Sequence, residues 1–265
     1  MELFFPIYAF AIGAIVGSFL NVVIHRYPRE ESIVFPPSHC PSCDAKIRAW
    51  DNIPLLSFAI LRGRCRTCRS PIPLRYPLVE LANALFYLAI YQRTGPTLSF
   101  LPVAAIVSMT IVLIYIDLEI QILPDVIDLP GIVIGIAIGA FGLGAGSDLV
   151  LAASLLDSLL GAALGASVLL LVALSYKLVR KAEGMGYGDV KMLAMIGAVV
   201  GYSPLLPVLF VASVVGAVTG VGLAIQRRSN LRFALPFGVF LGLAFLVVLF
   251  FGNTLFRWYL ALLLR

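Results

Sequence analysis

Apolar and polar positions alternate along this chain in long blocks, with neither the two-residue rhythm of a strand nor the one-sided stripe of a soluble helix. Runs of mostly apolar residues occupy roughly 4–24, 77–92, 98–118, 129–145, 151–176, 191–202, 204–225 and 234–251. A helix that crosses a bilayer needs about 20 such residues, and the pattern predicts an all-α polytopic membrane protein with about eight transmembrane helices. The runs at 77–92 and 191–202 are short for this purpose. A last stretch at 254–264, with Leu255, Phe256, Trp258, Tyr259 and Leu260, reads as an interfacial segment and not as a ninth span.

The basic residues fall in three places. Residues 25–76 carry Arg26, Arg29, Lys46, Arg48, Arg62, Arg64, Arg66, Arg69 and Arg75. Lys177, Arg180, Lys181 and Lys191 form a second basic region, and Arg227, Arg228 and Arg232 a third. Basic residues stay on the cytosolic side of spanning helices. With eight spans and an outside N-terminus, one topology puts all of these in the cytosol and leaves Arg93, Arg257 and Arg265, of 19 Lys and Arg, outside. The first segment has only Glu2 as a charge before it and no small-residue cleavage site, so it reads as a retained span and not a cleaved signal. The expected division is therefore a first transmembrane helix at 1–24, a cytosolic module at 25–76 and a transmembrane core at 77–265.

Composition agrees: 61% of residues are hydrophobic and 12% charged, against about a quarter charged in soluble domains. The net charge of +5 reports membrane orientation. A nucleic-acid partner would need basic residues interleaved with exposed aromatics on a polar domain, and that pattern is absent; the lipid bilayer is the expected surrounding.

All four cysteines lie in the 25–76 loop, as Cys40-Pro41-Ser42-Cys43 and Cys65-Arg66-Thr67-Cys68. Two C-x2-C turns supply four thiolates for a tetrahedral, structural Zn2+ site. Two disulfides are the alternative, which a cytosolic location disfavours. His39 adjoins the first pair and reads as a spectator, with substitution as a ligand the minor reading. Arg62, Arg64, Arg66 and Arg69 surround the second pair as a solvated basic loop, or as a contact for lipid headgroups or a charged ligand. The stretch 53–61 is too short to span; it is expected along the membrane or packed on the metal module.

Among 14 acidic residues, two stand out. Asp117 ends the run Ile111-Val112-Leu113-Ile114-Tyr115-Ile116, and Asp189 closes Gly186-Tyr187-Gly188-Asp189 just before another apolar run. An ionisable group at membrane depth is costly and points to function, and two crossings between them return the chain to the same side. Paired carboxylates can divide acid and base roles, which makes Asp117 and Asp189 candidate catalytic residues of an intramembrane aspartic protease. The glycines before Asp189 would let a backbone approach an extended peptide closely. The remaining acids have plainer readings. Asp125 and Asp128 are expected as turn or N-cap residues, Glu119 as solvated, Asp157 as a polar residue opening a helix, and Glu80 as a partner for Arg75.

These motifs, in this order, resemble the bacterial prepilin peptidases. The resemblance runs through Gly17-Ser18-Phe19-Leu20-Asn21-Val22-Val23-Ile24-His25-Arg26, both cysteine pairs, Arg75-Tyr76-Pro77-Leu78-Val79-Glu80, and Ile116-Asp117 with Leu123-Pro124-Asp125. It continues in Glu183-Gly184-Met185-Gly186-Tyr187-Gly188-Asp189-Val190-Lys191 and Leu235-Pro236-Phe237-Gly238. It implies cleavage of the basic leader of prepilins and pseudopilins, substrates with a transmembrane N-terminal helix, at the cytosolic face of the bacterial inner membrane. It also implies N-methylation of the new N-terminal residue with S-adenosyl-L-methionine. The catalytic pair maps onto Asp117 and Asp189 and the metal ligands onto Cys40, Cys43, Cys65 and Cys68. No methyl-donor fingerprint is readable, and Gly63 and Arg64 are the nearest candidates for one.

Two rivals remain at this point. A small-solute or ion transporter would use Glu80, Asp117, Asp157 and Asp189 as a relay, but would call for acids deep within spans and for inverted repeats. A zinc-bearing scaffold would leave both aspartates without a role.

Overall fold

The structure, a computed structural model, describes residues 4–181, 186–227 and 235–263. Glu2, Glu183, Gly184, Met185, Arg228, Arg232 and Arg265 lie outside the described residues, as do the side chains of Arg227, Tyr259 and Leu260. Among the described residues there are nine α-helices: α1 (Phe4–Arg26), α2 (Leu56–Ile60), α3 (Arg75–Thr94), α4 (Phe100–Ile120), α5 (Asp125–Ala140), α6 (Leu155–Arg180), α7 (Tyr187–Val200), α8 (Tyr202–Arg227) and α9 (Phe237–Leu263).

Two compact units divide the chain, residues 1–96 and 97–265. In the first, α1 packs on α3 through small residues. An added Cβ on Gly13 would fall 2.8 Å from the Ala84 Cα, and one on Gly17 2.8 Å from the Glu80 Cα. Buried amides lock the pair: Asn83 Nδ2 donates to the Gly13 carbonyl at 2.7 Å and Asn21 Nδ2 to the Tyr76 carbonyl at 3.0 Å. The cysteine loop lies between these helices in sequence. Arg26 anchors its start by donating to the Ser32 and Pro36 carbonyls.

In the second unit α7 is the central element. Every residue from Met192 to Val200 is buried, which is how a helix that is apolar all round must sit. The backbones of α6 and α7 touch where Gly161 meets Gly197, and the Ser158 hydroxyl reaches the carbonyl oxygens of Gly135 and Ala198, tying α5, α6 and α7 together. Asp157 opens α6 as expected. Its carboxylate accepts from the amides of Ala153 and Tyr202, and its own amide donates to the N-cap Ser154.

Five helices, α1, α4, α6, α8 and α9, are long and apolar enough to cross a membrane by length and composition. The other three expected spans explain themselves physically. Helix α3 has the length but carries Arg75, Glu80 and Arg93. Helices α5 and α7, with 16 and 14 residues, reach only about 24 and 21 Å, short of a hydrocarbon layer of about 30 Å. The run that begins at 254 forms no ninth helix of its own: α9 continues unbroken from Phe237 through Leu263.

Candidate active site and metal centre

Asp117 lies in the last turn of α4, and its carboxylate is 4% exposed by residue. A helix C-terminus is a poor place for an anion. Here the carboxylate is turned toward the start of another helix, where orphan amides need acceptors. Val239 N–H donates to Asp117 Oδ2 at 3.0 Å, and Gly238 adds a second backbone hydrogen bond. Both belong to the first turn of α9. The Leu-Pro-Phe-Gly segment thus enters the site through its backbone, a role not expected from the sequence. An added Cβ on Gly238 would fall 2.8 Å from Asp117 Oδ2, so only glycine allows the approach.

Asp189 occupies the first turn of α7, after Gly186 as N-cap, where a helix dipole favours negative charge. The charge of Asp117 acts on Asp189, so the structure places the two expected residues near one another. Leu123 lines the junction: a Cβ on Gly188 would meet its Cβ at 2.8 Å, and one on Gly238 its Cδ1 at 3.0 Å. The close approach that Gly188 permits is therefore to Leu123 of the same chain.

Two other acids differ from expectation. Neither Asp125 nor Asp128 caps α5, whose N-cap is Pro124 with no side-chain bond. Asp125 instead pairs with Lys191 of α7, both its oxygens lying 2.6–2.7 Å from Nζ. Asp128 is wholly buried, and both its carboxylate oxygens lack a hydrogen-bond partner.

In the 1–96 unit the four cysteines converge as expected. Each offers a sulfur within 4.8 Å of the others, and none is in a disulfide. Two knuckles with the same hydrogen-bond pattern hold them. Cys40 N–H donates to the Ala45 carbonyl and Asp44 N–H to the Cys40 carbonyl; Cys65 N–H donates to Ser70 and Arg69 N–H to Cys65. Ile47 N–H to Ser38 and Ile72 N–H to Gly63 complete the match, with bridges His39–Lys46 and Arg64–Pro71. Asp44 and Arg69, each following the second cysteine of its pair, share a left-handed backbone, φ 55° and 62°.

This donor set fits a zinc ion. Tetrahedral Zn–S bonds near 2.3 Å put sulfurs about 3.8 Å apart, and Cys40 Sγ and Cys68 Sγ are 3.8 Å apart. Burial pushes the Cys40 thiol up, but the Ser42 backbone, the Ser70 hydroxyl and the neighbouring thiols outweigh it and bring it down to about 6. The Ala45 backbone pulls Cys43 down, yet the Cys68, Cys40 and Cys65 sulfurs, with burial, push it up to about 12. Sulfurs this close resist ionising together until a dication joins them. His39 is exposed and faces the Pro37 carbonyl, outside the sulfur cluster.

The surrounding loop is held by side chains. Arg66 grips both oxygens of Asp51 through Nε and Nη2, and its guanidinium keeps that carboxyl below the usual carboxylate range. Glu80 Oε2 accepts from Leu55 N–H at 2.8 Å, where the chain takes φ 62° before α2. Arg75 lies over the Tyr76 ring. Arg62, Arg64, Arg66 and Arg69 line a cleft of about 600 Å³ with Ile60 and Leu61.

Known proteins resemble the chain over nearly all of its length. Residues 11–94 match the bacterial peptidase A24 N-terminal domain, and residues 104–221 the type IV leader peptidase family. Relatives include prepilin leader peptidase/N-methyltransferases of Aeromonas hydrophila (38% identical, over 95% of this chain and 92% of the relative), Stutzerimonas stutzeri (38%, 97% and 94%) and Pseudomonas putida (36%, 96% and 93%). No solved structure matches the chain. The transporter reading finds no support in these relatives. The chain belongs to the type IV leader peptidase family.

Proposed function

We propose that this protein is an intramembrane aspartic endopeptidase that removes the basic leader from type IV prepilins and pseudopilins, with Asp117 and Asp189 as its catalytic pair. The observation that carries this reading is the convergence on Leu123 of the Gly188 turn beside Asp189 and of the Gly238 segment that holds Asp117, one acid closing α4 and the other opening α7. Two acids so placed titrate as a pair. One takes a proton from water as the water oxygen attacks the scissile carbonyl carbon; the other gives its proton to the carbonyl oxygen. The tetrahedral diol then collapses as the amide nitrogen gains a proton and its bond to carbon breaks, leaving a leader carboxyl and a new amine. The amides of Gly238 and Val239 fix Asp117 for this task.

The reaction takes place at the cytosolic face of the bacterial inner membrane, with α3, α5 and α7 completing eight spans. A central helix enclosed by protein need not match the bilayer's thickness, which supports counting α7. Helices α5 and α6 between the two acids return the chain to the side it left.

The protein also N-methylates the new N-terminal residue with S-adenosyl-L-methionine, as its relatives' names support. The arginine-lined cleft would attract that donor's carboxylate but repel its sulfonium cation, so it does not fit the donor. Gly63 has φ 67° with the Phe58 ring against it, which explains that glycine without a ligand. Zinc bound by Cys40, Cys43, Cys65 and Cys68 would hold the two knuckles together, a structural role outside the cleavage chemistry.

Co-expression of a prepilin with Asp117→Ala or Asp189→Ala tests the assignment. Neither variant should remove the leader while both still insert in the membrane; full processing by either excludes that residue. Mass spectrometry of the mature pilin should show a gain of one methyl group.

A further inference from the structure

The turn between α4 and α5 is pinned at both ends. Gln121, in left-handed backbone at φ 56°, closes α4 by donating its amide to the Asp117 carbonyl at 2.9 Å. Pro124 starts α5, and its carbonyl accepts from the Ile127 and Asp128 amides. Between these fixed points Leu123 is 9% exposed, although Ile122 and Asp125 on either side of Leu123-Pro124 are exposed. The ion pair of Asp125 with Lys191, two residues past Asp189, ties the same turn to α7.

The two ends of the Leu123 side chain meet different neighbours. A methyl group on Gly188 would lie 2.8 Å from Leu123 Cβ, so the base of the side chain abuts the turn of α7 that carries Asp189. A methyl group on Gly238 would lie 3.0 Å from Leu123 Cδ1 and 2.8 Å from Asp117 Oδ2. The next residue, Val239, donates its amide to that same oxygen. One apolar side chain therefore reaches from the backbone beside Asp189 to the backbone that holds Asp117.

We propose that Leu123 is a positioning residue: wedged between Gly188 and Gly238, it sets the separation of the Asp117 and Asp189 carboxyl groups at which leaders are cleaved. The inference rests on the protease reading above. In that reading one acid must reach the attacking water while the other reaches the scissile carbonyl, and a misplacement of about 1 Å is costly. Close packing on both sides leaves little free space to absorb a change at Leu123, so the change passes to the neighbouring backbones. The side chain supplies no chemistry of its own; it acts through those two backbones.

The experiment is steady-state prepilin cleavage by full-length protein in liposomes, well below the thermal midpoint of each variant. Leu123→Ala keeps Cβ but removes the atoms that reach Gly238. Its kcat should fall about 10- to 100-fold while KM stays within about threefold of the parent. Leu123→Met conserves volume and should keep kcat within about threefold. Leu205 is buried at the start of α8, which follows the end of α7 far from Asp189. Leu205→Ala should lower the thermal midpoint through its cavity and leave kcat within about threefold. Combined with Gly238→Ala, the Leu123→Ala loss should not multiply, since both act on the placement of Asp117. Should the alanine variant fail to fold, Leu123→Val also lacks the Cδ atoms and should lower kcat in the same way. An unchanged kcat in a folded variant without those atoms, losses that multiply, or an equal loss in Leu205→Ala overturns the inference while Asp117→Ala and Asp189→Ala remain inactive. Cleavage by either aspartate variant would overturn the protease assignment and this inference with it.

Discussion

Asp117 and Val239 are 122 residues apart in sequence, yet the Val239 amide donates to Asp117 Oδ2 at 3.0 Å. The acid that ends one helix is thereby held by the start of another. Gly238 makes this possible, since a methyl group there would lie 2.8 Å from the same oxygen. Gly238→Ala should displace the carboxylate and lower kcat for leader cleavage by about 10- to 100-fold, the usual effect of misplacing a catalytic group by about 1 Å. KM for prepilin should change less, which steady-state kinetics on reconstituted protein will check.

The metal centre gives a second expectation. Purified protein should carry about one zinc per chain, as one closed four-sulfur site requires, by elemental analysis. Because the knuckles are equivalent, Cys40→Ser and Cys65→Ser should lower metal content to similar extents. Full zinc occupancy in either variant would reject the assignment.

Glu80 accepts the Leu55 amide where the backbone is left-handed. Glu80→Ala should leave that amide without its acceptor, at a cost of about 1–3 kcal/mol. Hydrogen exchange at Leu55 should then quicken roughly tenfold or more, with amides in the middle of α4 unchanged.

The Asp125–Lys191 pair is expected to matter little for stability. Its side chains are 56% and 36% exposed, and pairs of that kind are worth about 1 kcal/mol at most. Asp125→Asn should leave the thermal midpoint within a few degrees of the parent, about what such an energy allows.

Asp117 and Asp189 were legible as candidates because one ends an apolar run and the other just precedes one, where charge is expensive. The four cysteines were legible by spacing. What escaped was contributed by backbone or by distant partners. An amide such as that of Val239 carries no side-chain signature, and the only trace of its role is the missing Cβ of Gly238. Asp125 and Asp128 look like caps because each neighbours a proline at the start of a helix. Lys191, which claims Asp125, lies 66 residues away, and nothing local announces it. The knuckle repeat was also hidden, since His39–Ile47 and Arg64–Ile72 share only cysteines and a closing isoleucine. Their likeness resides in hydrogen bonds. The short helices α5 and α7 were marked as apolar, but enclosure by neighbours is a tertiary fact.

The dependence of Asp117 on the start of α9 has a consequence for biosynthesis. A nascent chain leaving the ribosome carries both aspartates well before residues 237–239 are made. Until that last helix inserts, the first acid lacks the amides that orient it. On the proposed assignment, hydrolytic competence waits for the start of α9, and a copy stopped before Phe237 should reach the bilayer inert toward its neighbours.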